Sequence, residues 1–136
     1  MARALILDTS TLIAYERGTI DRAQLDEDDL AIAAITVAEF RTGIELARTV
    51  ERAASRARVL ATITSAVAVL DYTERTATEH ARLLAHTRRA GTPRGAHDLM
   101  IAAHAVEHRR TILSLDSRAR FADLPGVSAV TPAGHS

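Results

Sequence analysis

The chain alternates between short apolar runs and longer segments in which apolar residues recur at helical spacing. The runs, which predict buried strands, are residues 4–7, 30–35, 67–70, 111–115 and a shorter run at 127–130. A strand that is apolar along its whole length has both faces covered, which is typical of parallel sheets. Helices between the strands supply the crossovers that parallel strands require. The alternation therefore predicts one α/β domain, in which helices cover both faces of a central parallel sheet of four to five strands.

The segments between these runs predict helices at residues 11–17, 37–47, 50–64, 74–90 and 99–108. We expect the arginines of the third helix to lie away from the sheet. The helix is expected to pack through one apolar face, which consists of Val50, Ala53, Ala57 and Leu60. We expect the fourth helix to end at Gly91 and to pack through Ala77, Ala81, Leu84 and Ala85. Residues 20–29 are acidic and are predicted to lie on the surface.

Composition limits the classes of protein to which the chain can belong. With 136 residues, 47% of them hydrophobic, it has enough apolar material for one compact core. Its formal net charge is zero, so charged partners must be recognised locally, although all 17 basic residues are arginine, which favours phosphate recognition. The absence of cysteine excludes disulfides and cysteine zinc sites. No apolar stretch is long enough to span a bilayer and no signal-like segment is found, so we expect a soluble, cytoplasmic protein.

Four acidic residues stand where predicted strands and helices meet. Asp8 directly follows the first strand, Asp116 directly follows the fourth, and Glu39 lies just beyond the second. Asp98 precedes an almost uninterrupted apolar run, LMIAAHAV, that predicts a buried helix. In open α/β sheets, functional groups gather outside the carboxyl ends of the strands. The four acids are therefore candidates for one site.

Each acid also has a purely structural interpretation. Asp8 and Asp116 are suitable N-caps for the segments that follow them. Glu39 completes a T-x-x-E capping box with Thr36, in which the glutamate bonds back to the N-cap amide. Asp98 complements the positive end of its helix dipole. Taken one at a time, the acids leave both capping and function open.

Taken together, the four acids point to a metal site. Carboxylates that share one cleft repel each other, and their pKa values rise unless a cation is present. Carboxylate oxygens are ligands for hard cations such as Mg²⁺ and Mn²⁺. Mg²⁺ commonly binds one or two carboxylates together with the phosphate oxygens of a substrate. The chemistry so indicated is the attack of metal-activated water on a phosphodiester bond.

Other motifs are weaker. His104 and His108 share one helical face, and His97 lies two turns earlier, but no H-E-x-x-H glutamate accompanies them, so surface histidines are expected rather than a zinc site. The segment GTPRGAH lacks the Gly-Lys-Ser/Thr of a P-loop. Asp8 resembles the strand-end aspartate of phosphatases that form an aspartyl-phosphate. Those enzymes need a second aspartate two residues later, where Ser10 stands, so a phosphatase is disfavoured.

Four segments carry a resemblance to a known family: LILDTSTLIAYERG, ITVAEFRTGIELA, GAHDLMIAAHAVEH and TILSLDSRARFADLPGVSAV. In this order and at this spacing they resemble the PIN-domain ribonucleases, and more narrowly the VapC-type toxins of bacterial type II toxin–antitoxin pairs. The resemblance extends over essentially the whole chain. It implies a single PIN domain over residues 1–136, an α/β/α sandwich, and a Mg²⁺- or Mn²⁺-dependent endoribonuclease.

The resemblance also implies roles for particular residues. The acids that correspond to the family's catalytic set are Asp8, Glu39, Asp98 and Asp116. Asp8 and Asp98 are then the direct metal ligands, Asp116 and Glu39 assist directly or through water, and the Ser10 hydroxyl contributes. Many relatives have a further acid at the position of Arg120, so we expect one firmly bound ion in this chain.

The same resemblance implies partners. RNA is the substrate, and the arginines that flank the acids in sequence are candidates for holding its phosphates: Arg41, Arg94, Arg118 and Arg120. A homodimer is implied, together with a VapB-type antitoxin whose C-terminal segment lies across the active site. Exposed apolar residues around Leu12, Ile13 and Tyr15 are compatible with an interface. The alternative function is a non-catalytic PIN-like module that binds RNA or protein, but the intact acids favour the enzyme.

Overall fold

The computed structural model describes residues 2–132, and its centre is a five-stranded sheet in the order β3-β2-β1-β4-β5. Neighbouring strands are parallel throughout. The strands are β1 (Ala4–Leu7), β2 (Asp29–Ala33), β3 (Ala68–Leu70), β4 (Thr111–Leu113) and β5 (Ala129–Val130). A strand is present at each predicted apolar run, so the prediction of a parallel sheet is confirmed.

The helices of residues 2–132 are α1 (Thr9–Arg17), α2 (Ala34–Glu45), α3 (Val50–Ala66), α4 (Glu74–Ala90) and α5 (Ala96–His108). A short 3-10 turn at Arg22–Leu25 lies between α1 and β2. Two more, at Ser117–Ala119 and Phe121–Asp123, lie between β4 and β5. Helix α4 has the predicted bounds, whereas α1, α2 and α5 begin two or three residues earlier than predicted. None of the described helices combines the length and the apolar character needed to cross a membrane.

Side chains of β1 alternate between two apolar cores, one on each face of the sheet. Ile6 belongs to a core formed with buried residues of α4 and α5, such as Ile101. Leu5 and Leu7 belong to a second core, formed with buried residues of α1, α2 and α3, such as Leu60. Successive side chains of a strand point to opposite faces, so α4 and α5 cover one face of the sheet and α1 to α3 the other. The α/β/α sandwich is confirmed.

Helix α3 packs through only part of the predicted face, since Leu60 is buried as expected but other members of that face are not. Val50 is 81% exposed and Ala57 is also exposed, whereas Ile63 is buried. Arg56, which was expected to face away from the core, donates from Nη1 to the Gly43 carbonyl of α2 at 2.8 Å. The packed face therefore includes Arg56 beside Leu60 and Ile63, because an arginine that bonds to a neighbouring backbone can lie on a packed face.

Helix α4 also packs through residues that alanine periodicity did not indicate. Ala81 is exposed, and the buried positions are Thr76, Leu83 and Thr87. Two of these are threonines whose hydroxyls form hydrogen bonds, which lets them be buried at little cost. A small side chain such as alanine is tolerated on either face, so alanines define the packed face poorly.

Two stretches that were predicted to lie on the surface supply core residues. Ile20 and Leu25, in the acidic segment, are both buried. Leu12, which was expected to be exposed beside Ile13 and Tyr15, is fully buried, whereas Ile13 is exposed. In each case the isolated apolar residue reaches the core from a short element, and such elements are too short to establish a periodicity.

Two glycines in different backbone conformations give a test of the fold. Gly91 ends α4 at a φ of +67°, whereas Gly43 lies inside α2 with an ordinary 3.9 Å contact for an added Cβ. We expect Gly91→Ala to lower the free energy of unfolding by about 1 kcal/mol, because a Cβ is unfavourable at positive φ. Gly43→Ala is expected to raise it by about 0.5–1 kcal/mol, because alanine favours the helix. Urea denaturation measures both changes, and a shift of the same sign in both variants would contradict these conformations.

Candidate active site

The carboxyl ends of β1 and its two neighbours lie side by side, because Leu7 at the end of β1 is in register with residues of both β2 and β4. Asp8 follows β1, and its backbone N–H donates to the Leu113 carbonyl of β4 at 3.3 Å. Asp116 follows β4 after a short connection. Helix α2 begins directly after β2 and carries Glu39 in its second turn. The predicted acids thus arise at adjacent strand ends.

Asp8 is a helix cap and the centre of a hydrogen-bond network at the same time. Its carboxylate, in a residue that is 3% exposed, accepts bonds at Oδ1 from the Ser10 hydroxyl at 2.7 Å and from the Thr11 backbone N–H at 3.0 Å. Its Oδ2 accepts a bond from the Ser114 hydroxyl, just beyond β4. The predicted cap on α1 is confirmed. A carboxylate has about four acceptor positions, so Asp8 can cap a helix and bind a further group.

Glu39 does not form the predicted capping box. Helix α2 starts three residues earlier than predicted, after Ala33, which provides no side-chain cap. Thr36 is therefore inside the first turn, and its buried hydroxyl has no hydrogen-bond partner within residues 2–132. Glu39 accepts a bond at Oε1 from the Thr9 hydroxyl at 2.8 Å, and its Oε2 lies 3.1 Å from His97 Nδ1. The glutamate thus connects α2 to the starts of α1 and α5.

Asp98 lies partly buried in the first turn of α5. Gly95, which precedes this helix, leaves room for the carboxylate, since a Cβ on Gly95 would lie 3.2 Å from Asp98 Oδ2. Burial raises the pKa of Asp98, and the negative charges of Asp116, Asp8 and Glu39 raise this pKa further. Carboxylates from three other elements therefore act on Asp98. The four acids form one group, which we call the acid cluster.

Asp116 combines capping with its place in the acid cluster. Its Oδ1 accepts a bond from the Arg118 backbone N–H at 3.0 Å and so caps the 3-10 turn that follows β4. Its own N–H donates to Ser114 Oγ at 3.0 Å. Since the same Ser114 hydroxyl donates to Asp8, one serine fixes the backbone of Asp116 relative to the Asp8 carboxylate.

The acid cluster has the donor set of a site for a hard cation. Every member offers carboxylate oxygens, the ligands that Mg²⁺ and Mn²⁺ prefer. The repulsion that raises the pKa of Asp98 is relieved when a divalent cation lies among the carboxylates. The residues present therefore fit a divalent metal ion.

Three polar residues of this site were not among the predicted site residues. Ser114 holds Asp8, while Thr9 and His97 hold Glu39. Ser114 and Thr9 lie within two residues of an acid, so a search of the immediate neighbours of each acid would have found them. His97 directly precedes Asp98 and would have been found by the same search, but its contact with Glu39 depends on how α2 and α5 pack.

The arginines that flank the acids in sequence differ in availability. Arg94 donates from Nη1 to the carbonyls of Ala119 and Arg120 at 2.6 and 2.8 Å, and so fixes the segment that follows Asp116. Arg94 therefore has a structural role, and its contact with RNA phosphates stays a prediction. Arg41, Arg118 and Arg120 are exposed.

Comparison with known proteins agrees with this architecture. The family model described as PIN domain matches residues 5–127. The chain belongs to the PIN-domain family. It is similar to ribonuclease VapC5 of Mycobacterium tuberculosis, with 33% identity over 129 residues that cover 92% of this chain and 90% of the relative. It is similar to the tRNA(fMet)-specific endonuclease VapC of Salmonella typhimurium, with 30% identity over 126 residues that cover 90% of this chain and 92% of the relative.

A solved structure of the same family has the same fold. A chain in the crystal structure of DNA-bound VapBC from Salmonella typhimurium superposes with a TM-score of 0.83 at 28% identity, covering 96% of this chain and 98% of that one. The resemblance to PIN-domain and VapC proteins that the sequence motifs indicated is confirmed.

The raised pKa of Asp98 predicts how metal-free stability depends on this residue and on pH. Folding raises this pKa, so the folded state binds the proton more tightly, and the free energy of unfolding falls as the pH rises through the range between the unfolded and folded pKa values. In EDTA at neutral pH, Asp98→Asn is expected to melt at or above the wild-type temperature. At acidic pH the difference shrinks, because wild-type Asp98 is then protonated.

The matched control is Glu51→Gln, which removes an exposed acid from the first turn of α3, outside the acid cluster. We expect it to lower the free energy of unfolding by about 0.3–1 kcal/mol through the helix dipole. Thermal denaturation by circular dichroism compares the variants. If Asp98→Asn is destabilised like Glu51→Gln, Asp98 serves only its helix.

Proposed function

We propose that this protein is a metal-dependent endoribonuclease that hydrolyses RNA phosphodiester bonds, and that it is the toxin of a type II toxin–antitoxin pair. The observation that carries the proposal is the acid cluster, in which burial and then the carboxylates of three other elements raise the pKa of Asp98. Mutual repulsion of this kind does not help a fold, so a cationic ligand is the natural reason for it. Two relatives bear the names ribonuclease and tRNA(fMet)-specific endonuclease, which supports RNA as the substrate.

We assign Asp8 and Asp98 as the ligands of one Mg²⁺ ion, for which Mn²⁺ can substitute. When bound, such an ion supplies Lewis-acid activation of water and stabilises the leaving oxygen of a phosphodiester. Asp8 is preorganised because Ser10 and Ser114 hold its two oxygens. Asp98 is preorganised because it is carried by α5, a helix with a largely buried apolar face. Arg120 stands where many relatives have a further acid, which favours a single ion.

Glu39 and Asp116 are assigned to the handling of water and protons. The hydroxyl of Thr9 and the imidazole of His97 hold the Glu39 carboxylate in place, and part of this side chain remains exposed. Asp116 is exposed, and its backbone N–H is held by the Ser114 hydroxyl. A positioned carboxylate can accept a proton from attacking water. Both residues thus act beside the two ligands.

RNA is expected to be held through its backbone. The exposed guanidinium groups of Arg41, Arg118 and Arg120 are suited to phosphate oxygens. Aromatic residues make up only 3% of the chain, so base stacking contributes little. Recognition of RNA shape is therefore favoured over stacking on aromatic side chains.

We propose further that residues 1–136 act as a single PIN domain that binds a VapB-type antitoxin and works in the cytoplasm, where its RNA substrate is found. The similarity to a chain of the DNA-bound VapBC structure supports this partner. Next to Glu39 lies a cleft of about 130 Å³ whose lining includes the apolar Ile13 and Phe40 and the basic Arg17 and Arg56. Such a mixed lining is suited to a segment of an antitoxin. The homodimer stays a prediction.

Removal of one proposed metal ligand tests the catalytic assignment. We expect Asp98→Asn to cleave RNA about a hundredfold more slowly or worse, because asparagine keeps the shape but loses the charge. Excess EDTA is expected to stop cleavage by the wild type, and added Mg²⁺ or Mn²⁺ to restore it. The matched control is Asp26→Asn, an exposed acid remote from the cluster in the turn after Leu25, which should cleave normally. Full activity of Asp98→Asn, or of the wild type in EDTA, would favour a non-catalytic module.

Glu39→Gln separates a role in the reaction from a role in folding. Glutamine can still accept the bond from Thr9, so we expect the free energy of unfolding to change by less than about 0.5 kcal/mol. The rate of RNA cleavage should fall at least about tenfold because the charge is lost. Glu45→Gln, on the exposed end of the same helix, is the control and should leave both quantities unchanged. A normal rate for Glu39→Gln would mean that this glutamate only connects helices.

A further inference from the structure

A second group of ligand-type side chains lies at the other end of α5. It consists of His104, Glu107 and His108, which we call the histidine cluster. Glu107 is nine residues beyond Asp98, which places it about 14 Å farther along the helix axis. The histidine cluster is therefore separate from the acid cluster.

The three side chains converge because their spacing places them on one helical face. Residues at positions i, i+3 and i+4 are neighbours on a helix surface. Glu107 Oε1 lies 3.3 Å from His108 Nε2 and 4.0 Å from His104 Nδ1. One ligand atom from each residue lies within 4.8 Å of the others. The two imidazole rings are stacked, with 6.4 Å between centroids and 15° between planes.

His104 is the member that most clearly indicates a ligand. The prediction of a surface histidine is wrong here, since His104 is 1% exposed. Its Nδ1 is buried and has no hydrogen-bond partner among residues 2–132, because 4.0 Å to Glu107 is too long for a hydrogen bond. A buried polar atom without a partner is unfavourable.

Glu107 is already held in the orientation that a metal ligand needs. Its Oε1 accepts a bond from the buried Thr76 hydroxyl of α4 at 2.6 Å, and the Thr73 hydroxyl lies 3.5 Å from Oε2. Each carboxylate oxygen has a second lone pair, so these bonds leave room for a metal. Hydrogen bonds that orient a ligand commonly accompany metal sites.

His108 gives the histidine cluster access to solvent. Its side chain is 38% exposed, in contrast to the buried His104. Around the cluster, the Tyr72 ring lies edge-on to the His104 ring at 6.2 Å, and the Tyr72 hydroxyl is paired with His80 Nδ1 at 2.7 Å. The histidine cluster thus contacts Tyr72 on the side of His104 and reaches solvent through His108.

We propose that His104, Glu107 and His108 bind a transition-metal ion, with Zn²⁺ the best match. Two imidazole nitrogens and one carboxylate oxygen are a common zinc donor set, with a fourth position left for water. Mg²⁺ prefers sites made of oxygen alone, so the two clusters are suited to different ions. Because Glu107 is bonded to Thr76, an ion here ties the end of α5 to α4.

Zinc titration in the presence of millimolar Mg²⁺ tests this site, since Mg²⁺ competes for carboxylates but poorly for imidazole. Isothermal titration calorimetry should give one Zn²⁺ per chain for the wild type and also for Asp98→Asn, which perturbs only the acid cluster. His108→Ala removes an exposed ligand and should fold normally, but bind Zn²⁺ at least about tenfold more weakly. His86→Ala, an exposed histidine of α4 outside the cluster, is the control and should bind like the wild type.

Thermal melting provides the second measurement. Zn²⁺ should raise the melting temperature of the wild type and of His86→Ala, and at the same concentration should raise that of His108→Ala by less. The proposal is overturned if the wild type binds no Zn²⁺ under these conditions, if His108→Ala binds it as tightly as the wild type, or if Asp98→Asn abolishes binding. None of these outcomes depends on RNA cleavage.

Discussion

Repulsion among the carboxylates of Asp8, Glu39, Asp98 and Asp116 is the constraint around which this end of the molecule is arranged. Like charges brought out of water destabilise the folded state, so each acid has to be held against its neighbours. Asp8 is held by hydroxyl and backbone donors, and Glu39 by Thr9 and the nearby His97. Asp98 has the rigid helix α5 beneath it and carries the raised pKa. The apolar cores on both faces of the sheet supply the stability that makes this arrangement possible.

The sheet was predictable from the sequence because a buried parallel strand needs apolar residues on both of its faces, and few other local structures do. The packed faces of α3 and α4 were less predictable. Alanine is accepted on either face of a helix, whereas Arg56 and Thr76 lie on packed faces through hydrogen bonds that no periodicity reveals. The start of α2 was also missed. Residues 34–36 look like a strand by composition, but the chain already turns into a helix after Ala33.

The acids were predictable as a group, because strand-end positions in a parallel sheet converge whatever the side chains are. Their partners were not. The local capping-box rule pairs Glu39 with Thr36. Because α2 starts three residues earlier than predicted, Glu39 instead accepts a bond from Thr9, which is distant in sequence. Capping and membership of the acid cluster also proved compatible in Asp8 and Asp116, since a carboxylate has more acceptor positions than a single cap uses.

The histidine cluster escaped a search for the H-E-x-x-H pattern because its glutamate precedes the second histidine instead of following the first. A helix advances by about 100° per residue, so either order places the glutamate about 60° around the helix from one histidine and about 100° from the other. In HAVEH the glutamate stands one residue before the second histidine, and it returns to within a short arc of His104. The order alone therefore does not make a glutamate a ligand, and Glu107 is a candidate ligand because its Oε1 lies 3.3 Å from His108 Nε2 and 4.0 Å from His104 Nδ1. The same helix thus carries an all-oxygen donor set at its first turn and a mixed nitrogen and oxygen set at its last.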